Sequence, residues 1–163
     1  MAKKKEVDGL TVEKYFKKIK LKYEAIDESM WRVESDGVPN IIVKFEPPVI
    51  VIRLKLMEVS ESYDISGLCK RLLELNSEQM ISGAFALEGN NVIAVEVLQS
   101  ANLDLNELQA AIEGITMTAV QNYRELSEFR NKKVLADGTV EMEHRPTGSI
   151  TGGVNVEDPG FVF

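Results

Sequence analysis

The sequence predicts an α+β protein in which an antiparallel sheet is flanked by helices, in the order α-β-β-β-α-β-β-α. Two observations lead to this fold class. Apolar residues recur every three to four positions in some segments, which is typical of amphipathic helices, and every second position in others, which is typical of half-buried strands. Turn residues separate these segments. With 163 residues and 44% of them apolar, the chain is long enough to bury one core.

The first predicted helix follows a basic segment, residues 1–10. We expect this helix to run to about Asp27, because its apolar residues keep helical spacing while lysines fill the other faces. Thr11 is the expected N-cap, and Leu10 is expected to pack on Tyr15 as a hydrophobic staple. The apolar stripe consists of Leu10, Val12, Tyr15, Phe16, Ile19 and Tyr23.

Three antiparallel strands are predicted from Met30 onward, where the period changes to two. Asp36-Gly37 is expected to form the first turn. Pro47-Pro48 separates the second strand from the third, since proline cannot donate a ladder hydrogen bond. The third strand, Val49 to Val59, is expected to direct Ile50, Ile52, Leu54 and Leu56 to one face. Trp31 is interpreted as a core residue.

A second helix, capped by Asp64 or Ser66, is predicted to end at Asn76. Its apolar stripe consists of Leu68, Leu72, Leu73 and Leu75. A second hairpin follows, with strands from Ile81 to Leu87 and from Val92 to Leu98. The turn between them contains Gly89, Asn90 and Asn91, which tolerate positive φ.

The last helix of the domain is predicted to be the longest element and to end near Phe129. Asp104 and Glu107 have the spacing of a capping box, and Leu103 with Leu108 has that of a staple. The seam that should face the core consists of Leu105, Leu108, Ile112, Ile115, Ala119, Tyr123 and Leu126. These elements define a domain over residues 11–130.

Residues 131–163 are predicted to form a weakly ordered C-terminal tail with one hairpin around Asp137-Gly138. The sequence becomes apolar again after the Gly152-Gly153 linker, at Phe161, Val162 and Phe163. Two interpretations stay open. The apolar triplet either docks on an edge or groove of its own or a neighbouring subunit, or it is a frayed segment.

Charge argues against several classes of function. The net charge is −7, yet residues 1–22 hold eight lysines against three acidic residues, a net of +5 that leaves −12 for the remainder. An acidic body disfavours nucleic acid as a partner. The lysines are interpreted as the solvated face of a packed helix, with binding to an anionic surface as an alternative. No apolar stretch is long enough for a membrane span or a signal peptide, so a cytoplasmic location is expected.

The residues that usually carry chemistry are few. Cys69, the sole cysteine, lies beside Leu68 and Leu72 and is expected to be a buried structural thiol rather than a redox sensor. The sole histidine, His144, lies in the tail with Glu141 and Glu143, which is a poor set of metal ligands. Residues 151–153 lack the lysine of a phosphate-binding loop. We therefore predict no catalytic, cofactor-binding or metal-binding residue.

Three motifs carry a resemblance to a known family. They are Leu72-Leu73-Glu74-Leu75-Asn76, Gly83-Ala84-Phe85-Ala86-Leu87, and Leu103-Asp104 at the start of the long helix that continues through Leu108 to Tyr123 and Leu126. Over roughly Thr11 to Arg130 the sequence resembles the YbjN-like family of sensory transduction regulators, within the type III secretion chaperone-like fold. The resemblance implies a compact sheet flanked by helices, frequent homodimers and, in the secretion chaperones, a surface for extended client segments. It implies no catalytic residue.

The functional hypothesis is accordingly a non-enzymatic protein-binding or regulatory module. An exposed sheet edge or apolar groove is expected to bind the partner, with backbone hydrogen bonds supplying affinity. A homodimer is expected, formed through apolar surface near the second helix. The alternatives are a small-molecule-binding or enzymatic domain with an unrecognised site, and a binder of anionic surfaces through the N-terminal lysines.

Overall fold

The computed structural model describes residues 7–60, 63–135 and 137–142, with α+β architecture. Its helices are α1 (Gly9–Lys18), α2 (Ile65–Glu78) and α3 (Leu105–Glu128), and a short 3-10 helix follows at Phe129–Asn131. Its strands are β1 (Lys22–Ala25), β2 (Met30–Ser35), β3 (Val38–Glu46), β4 (Val49–Glu58), β5 (Ala84–Glu88), β6 (Asn91–Gln99), β7 (Lys132–Val134) and β8 (Val140–Met142). The predicted fold class is confirmed.

Six strands form one antiparallel sheet in the order β1-β2-β3-β4-β6-β5, and β7 pairs with β8 in a separate hairpin. The helices cover one face of the large sheet. On that face Trp31 lies opposite Val43, and Val43 lies opposite Ile52, so the register aligns fully buried side chains across three strands. Because successive side chains alternate between faces, the neighbouring Arg32 and Arg53 lie on the other face.

The first helix is shorter than predicted, and an additional strand follows it. α1 ends at Lys18, Lys20 adopts φ 55°, and the Leu21 amide donates to the Phe16 carbonyl at 3.0 Å. The chain then turns into β1, which pairs with β2 along its whole length. The expected helix to Asp27 is wrong because Tyr23, although at helical spacing, lies in this strand.

The start of α1 also differs from the prediction. Asp8 is the N-cap, and its carboxylate accepts hydrogen bonds from the Thr11 amide at 2.8 Å and the Thr11 hydroxyl at 2.6 Å. Val7 and Val12 occupy the two staple positions of this cap and are both buried. Leu10 is 68% exposed, so the predicted staple with Tyr15 is wrong.

Residues with positive φ shape the β2–β3 hairpin and the start of β5. Asp36 and Gly37 both have positive φ, 51° and 78°, as a two-residue turn between β2 and β3 requires. β5 begins at Ala84 rather than Ile81, because Gly83 bends the chain at φ 71°, at a point where a Cβ would lie 2.7 Å from the Val95 carbonyl oxygen. Ile81 is fully exposed before this bend.

Of the residues predicted to face the core on the two longer helices, only Leu73 is exposed. Asp64 caps α2, and Asp104 with Glu107 forms the expected capping box of α3. Leu73 is the exception, since it is 69% exposed and lies outside the stripe that packs on the sheet. The buried apolar residues of the two helices are Leu68, Leu72, Leu75, Leu108, Ala111, Ile112, Ile115, Ala119 and Leu126. Leu105 and Tyr123 are half-buried.

Candidate protein-binding edge

The residues considered for chemistry do not come together. Cys69 is a half-buried free thiol, so the expected full burial is wrong. Glu141 lies in β8, while Glu143, His144 and the segments 151–153 and 161–163 lie outside the described residues. Within residues 7–60, 63–135 and 137–142, no three His, Cys, Asp or Glu side chains are grouped so as to hold a metal ion.

The side chains with shifted pKa values have structural roles. Hydrogen bonds to the Glu125 carboxylate raise the pKa of Arg71, whose Nη2 lies 3.2 Å from Oε2, and this pair joins α2 to α3. The Ser29 amide lowers the pKa of Asp27 in the loop between β1 and β2. The raised pKa of Arg71 therefore reflects the packing of α2 on α3, and the lowered pKa of Asp27 reflects a turn.

Trp31 and the helix-face lysines have the surroundings that the sequence predicted. Trp31 is 1% exposed and its indole Nε1 donates to the Glu13 carboxylate at 3.0 Å, which makes it a core residue. The lysines of α1, of the following turn and of the start of β1 are exposed: Lys14, Lys17, Lys18, Lys20 and Lys22. Among the helices described, none is long and apolar enough to cross a bilayer.

The β5 edge of the sheet is closed by α2. The Asn76 side chain donates to the Phe85 carbonyl at 3.0 Å and accepts from the Phe85 amide at 2.7 Å. Phe85 therefore directs its backbone groups away from β6. By the alternation of antiparallel pairing, Leu87 is the one other β5 residue whose backbone groups point outward. Little of this edge is available to another strand.

The β1 edge, in contrast to the β5 edge, is open. The Ile26 amide donates to the Met30 carbonyl at 2.8 Å, which continues the β1–β2 register and makes these two residues a hydrogen-bonded pair. Alternation then directs the backbone groups of Tyr23 and Ala25 away from β2. Within the described part of the chain no group bonds them, so two N–H and two C=O groups line this edge.

A concavity lies on each face of the sheet beside this edge. One has a volume of about 260 Å³ and lies against α3, with Ser35, Gln109 and Glu113 in its lining. The other has a volume of about 200 Å³ and is lined by strand residues, including Pro39 and Asn40 of β3. An added strand would direct alternate side chains toward these two faces.

Ion pairs separate and border the two concavities. The Lys22 ammonium lies 2.9 Å from the Glu34 carboxylate, and both residues line both concavities. The Arg32 guanidinium lies 3.2 Å from the Glu24 carboxylate on the strand side. Since these charges are exposed, they contribute to recognition more than to stability.

Sequence reasoning missed this edge because it assigned β1 to the first helix. The signals were weak, since the turn at Ile19–Lys20 contains neither glycine nor asparagine. The alternation of charged Lys22 and Glu24 with Tyr23 was the one available indication of a strand.

The arrangement of sheet and helices defines a type III secretion chaperone-like class of protein. One chain of the heterodimeric ExoU-SpcU complex from the type III secretion system of Pseudomonas aeruginosa superposes with a TM-score of 0.52 at 12% identity, covering 71% of this chain and 93% of that chain. YbjN from E. coli superposes with a TM-score of 0.56 at 12% identity, covering 74% of this chain and 96% of that chain. The fold is YbjN-like, as the resemblance implied.

A family model also matches this chain. The model described as CesT_Tir_1, a type III secretion chaperone family, matches residues 6–132, and the chain belongs to this family. No curated protein sequence matches it. Family membership favours a protein-binding, chaperone-like role.

Proposed function

We propose that this protein is a non-enzymatic, chaperone-like module that binds an extended segment of a partner protein at the β1 edge. The observation that carries the proposal is the contrast between the two sheet edges. Asn76 closes the β5 edge, whereas the outward backbone groups of Tyr23 and Ala25 have no partner within the described residues. A strand that paired with β1 would satisfy them.

Backbone pairing at this edge supplies only part of the affinity. Four backbone groups contribute about 0.5–1.5 kcal/mol each, so side chains must contribute the remainder. The two concavities provide space for side chains of alternate direction, and the mixed charges around them favour a polar or zwitterionic segment over a wholly apolar one. The heterodimeric neighbour supports a protein partner, since ExoU-SpcU is itself a complex of two different chains.

The proposal is tested by removing one donor from the edge. Ala25→Pro deletes an outward N–H while sparing the pairing of β1 with β2, and proline is tolerated at such edge positions. Ala25→Val is the matched control, since it keeps the N–H and favours a strand. Capture of a stoichiometric protein partner by the wild-type and Ala25→Val proteins, and its loss with Ala25→Pro, is expected. Equal capture by all three proteins would contradict binding at β1.

A further inference from the structure

The larger concavity beside β1, with a volume of about 260 Å³, is formed where three parts of the fold meet. β2 ends in it with Ser35, the turn after β2 contributes Asp36, and the turn before β1 contributes Lys20. The long helix α3 contributes Gln109 and Glu113. Because Lys20 closely precedes the first residue of β1, the concavity lies at the start of the open edge.

Ser35 is a buried polar residue that lines this concavity without a bonding partner. It is 6% exposed, and it alternates with Trp31 and Val33 along β2, so its side chain lies on the helix-covered face. In the part of the chain that the structure describes, no group bonds its hydroxyl. Buried hydroxyls are normally hydrogen-bonded, which indicates that a group entering the concavity satisfies this one.

The charges that line the concavity leave a negative excess. Lys22 and Glu34 neutralise each other, since the Lys22 ammonium lies 2.9 Å from the Glu34 carboxylate. Of the other charged groups in the lining, Lys20 is positive, whereas Asp36 and Glu113 are negative. None of these three is in an ion pair among residues 7–60, 63–135 and 137–142. The excess of one carboxylate favours a cationic ligand.

The acceptors of the concavity suit a guanidinium. The Gln109 amide donates to the Glu113 carboxylate at 2.7 Å, which orients that carboxylate and leaves the Gln109 amide oxygen as a further acceptor. Among the described residues no three acidic side chains are grouped so as to hold a metal ion. A guanidinium carries five N–H donors in a planar fork and can bond acceptors that lie apart, whereas an ammonium places its three donors at one point.

We infer that this concavity binds an arginine side chain of the partner segment. The inference rests on the proposed function, because a segment that pairs with Tyr23 and continues past the start of β1 directs alternate side chains toward the helix-covered face. Asp36 and Glu113 receive the guanidinium, and the Ser35 hydroxyl accepts a further N–H. The methylene stem of the arginine packs on the apolar lining, which consists of Ile19, Leu21 and Ile112. The arginine thereby sets the register of the segment on β1.

An NMR titration with capped amino acids tests the inference without the partner protein. The probe is N-acetyl-L-arginine N-methylamide, which is expected to cause saturable shifts of the amide signals of Ser35, Asp36 and Glu113. The corresponding lysine compound is expected to bind more weakly. The corresponding citrulline compound, which has the shape of arginine without its charge, is expected to cause no saturable shift.

Two substitutions remove the receiving charges one at a time. Asp36→Asn keeps a residue type that tolerates the φ of 51° at this position, and Glu113→Gln keeps the shape of the side chain. Each is expected to raise the dissociation constant of the arginine probe about fivefold, the upper end for an exposed ion pair. Glu128→Gln, an exposed change of equal charge at the end of α3, is expected to leave the constant unchanged. Dispersed amide spectra check that each variant folds.

The Ala25→Pro variant separates this inference from the proposed function. It removes an edge donor and leaves the lining of the concavity intact, so it is expected to bind the arginine probe as tightly as the wild-type protein does. Glu113→Gln is in turn expected to weaken capture of the partner protein while the outward donors of β1 are unchanged.

Three results would overturn the inference. The first is binding of the lysine or citrulline compound as tightly as the arginine probe, since the site would then not select a guanidinium. The second is equal binding of the arginine probe by the wild-type, Asp36→Asn and Glu113→Gln proteins. The third is undiminished capture of the partner protein by Glu113→Gln, since the concavity would then receive no arginine of the partner segment.

Discussion

The side chain of Asn76 acts as an additional strand partner for Phe85. Its amide supplies one donor and one acceptor, and these meet the carbonyl and the amide of a residue nine positions later at 3.0 Å and 2.7 Å. One side chain thereby joins the last turn of α2 to the outer strand of the sheet. It also removes the middle of that strand from pairing with any other chain.

Asn76→Ala is expected to destabilise the fold by about 1–3 kcal/mol, because two half-buried backbone groups lose their partner. Asn76→Asp is also expected to destabilise the fold, since its carboxylate accepts from the Phe85 amide but sets its second oxygen against the Phe85 carbonyl, with no proton between the two acceptors. Denaturant unfolding measures both. Ser77→Ala, at the adjacent exposed position, is the control, and a loss as large as that of Asn76→Ala would contradict the assigned contact.

Two substitutions test the core between the helices and the sheet. Phe85→Ala is expected to destabilise the fold by about 3–5 kcal/mol and Ile112→Ala by about 2–5 kcal/mol, because each empties a position that is at most 4% exposed. Leu73→Ala, at an exposed position of α2, is expected to cost much less. Equal denaturant midpoints for all three variants would show that the buried faces are wrongly assigned.

Acid is expected to loosen the first turn of α1. The Thr11 hydroxyl, followed by its amide, lowers the pKa of the Asp8 carboxyl in the folded state. A lowered pKa contributes stability that is present above the unfolded-state pKa and is lost as the pH falls through the folded-state pKa. The protection factor of the Thr11 amide, which is the intrinsic exchange rate divided by the observed rate, should therefore fall as the pH is lowered.

Asp8→Asn is the control for this acid effect. Asparagine is an effective N-cap and does not titrate, so protection of the Thr11 amide in this variant should be independent of pH. An equal acid response in the wild-type and Asp8→Asn proteins would assign the effect to other carboxyl groups.

Most of the fold was predictable because its signals are local. The capping box at Asp104 and Glu107 and the turn at Asp36-Gly37 each depend on residues one to three positions apart, and both are present. The β1 strand was not predictable in this way. Tyr23 keeps the spacing of the preceding helix, and only pairing with Val33 on β2 decides its conformation.

The candidate site depends on contacts that no local pattern contains. Asn76 was expected only to mark a helix end, and its bonds to Phe85 arise because α2 packs beside β5. The β1 edge is open because Ile26 and Met30 form a hydrogen-bonded pair, which directs the backbone groups of the alternate β1 residues outward. Which residues form such a pair depends on the register between β1 and β2. The location of the proposed binding edge therefore required the three-dimensional structure.

Amide hydrogen exchange of the protein with its captured partner tests the central claim most directly. We predict that the amides of Tyr23 and Ala25 exchange measurably more slowly in the complex, because a partner strand accepts their hydrogen bonds. The amide of Leu87, on the edge beside Asn76, should exchange at the same rate in the free and bound protein. Protection of Leu87 with no change at Tyr23 and Ala25 would contradict the account.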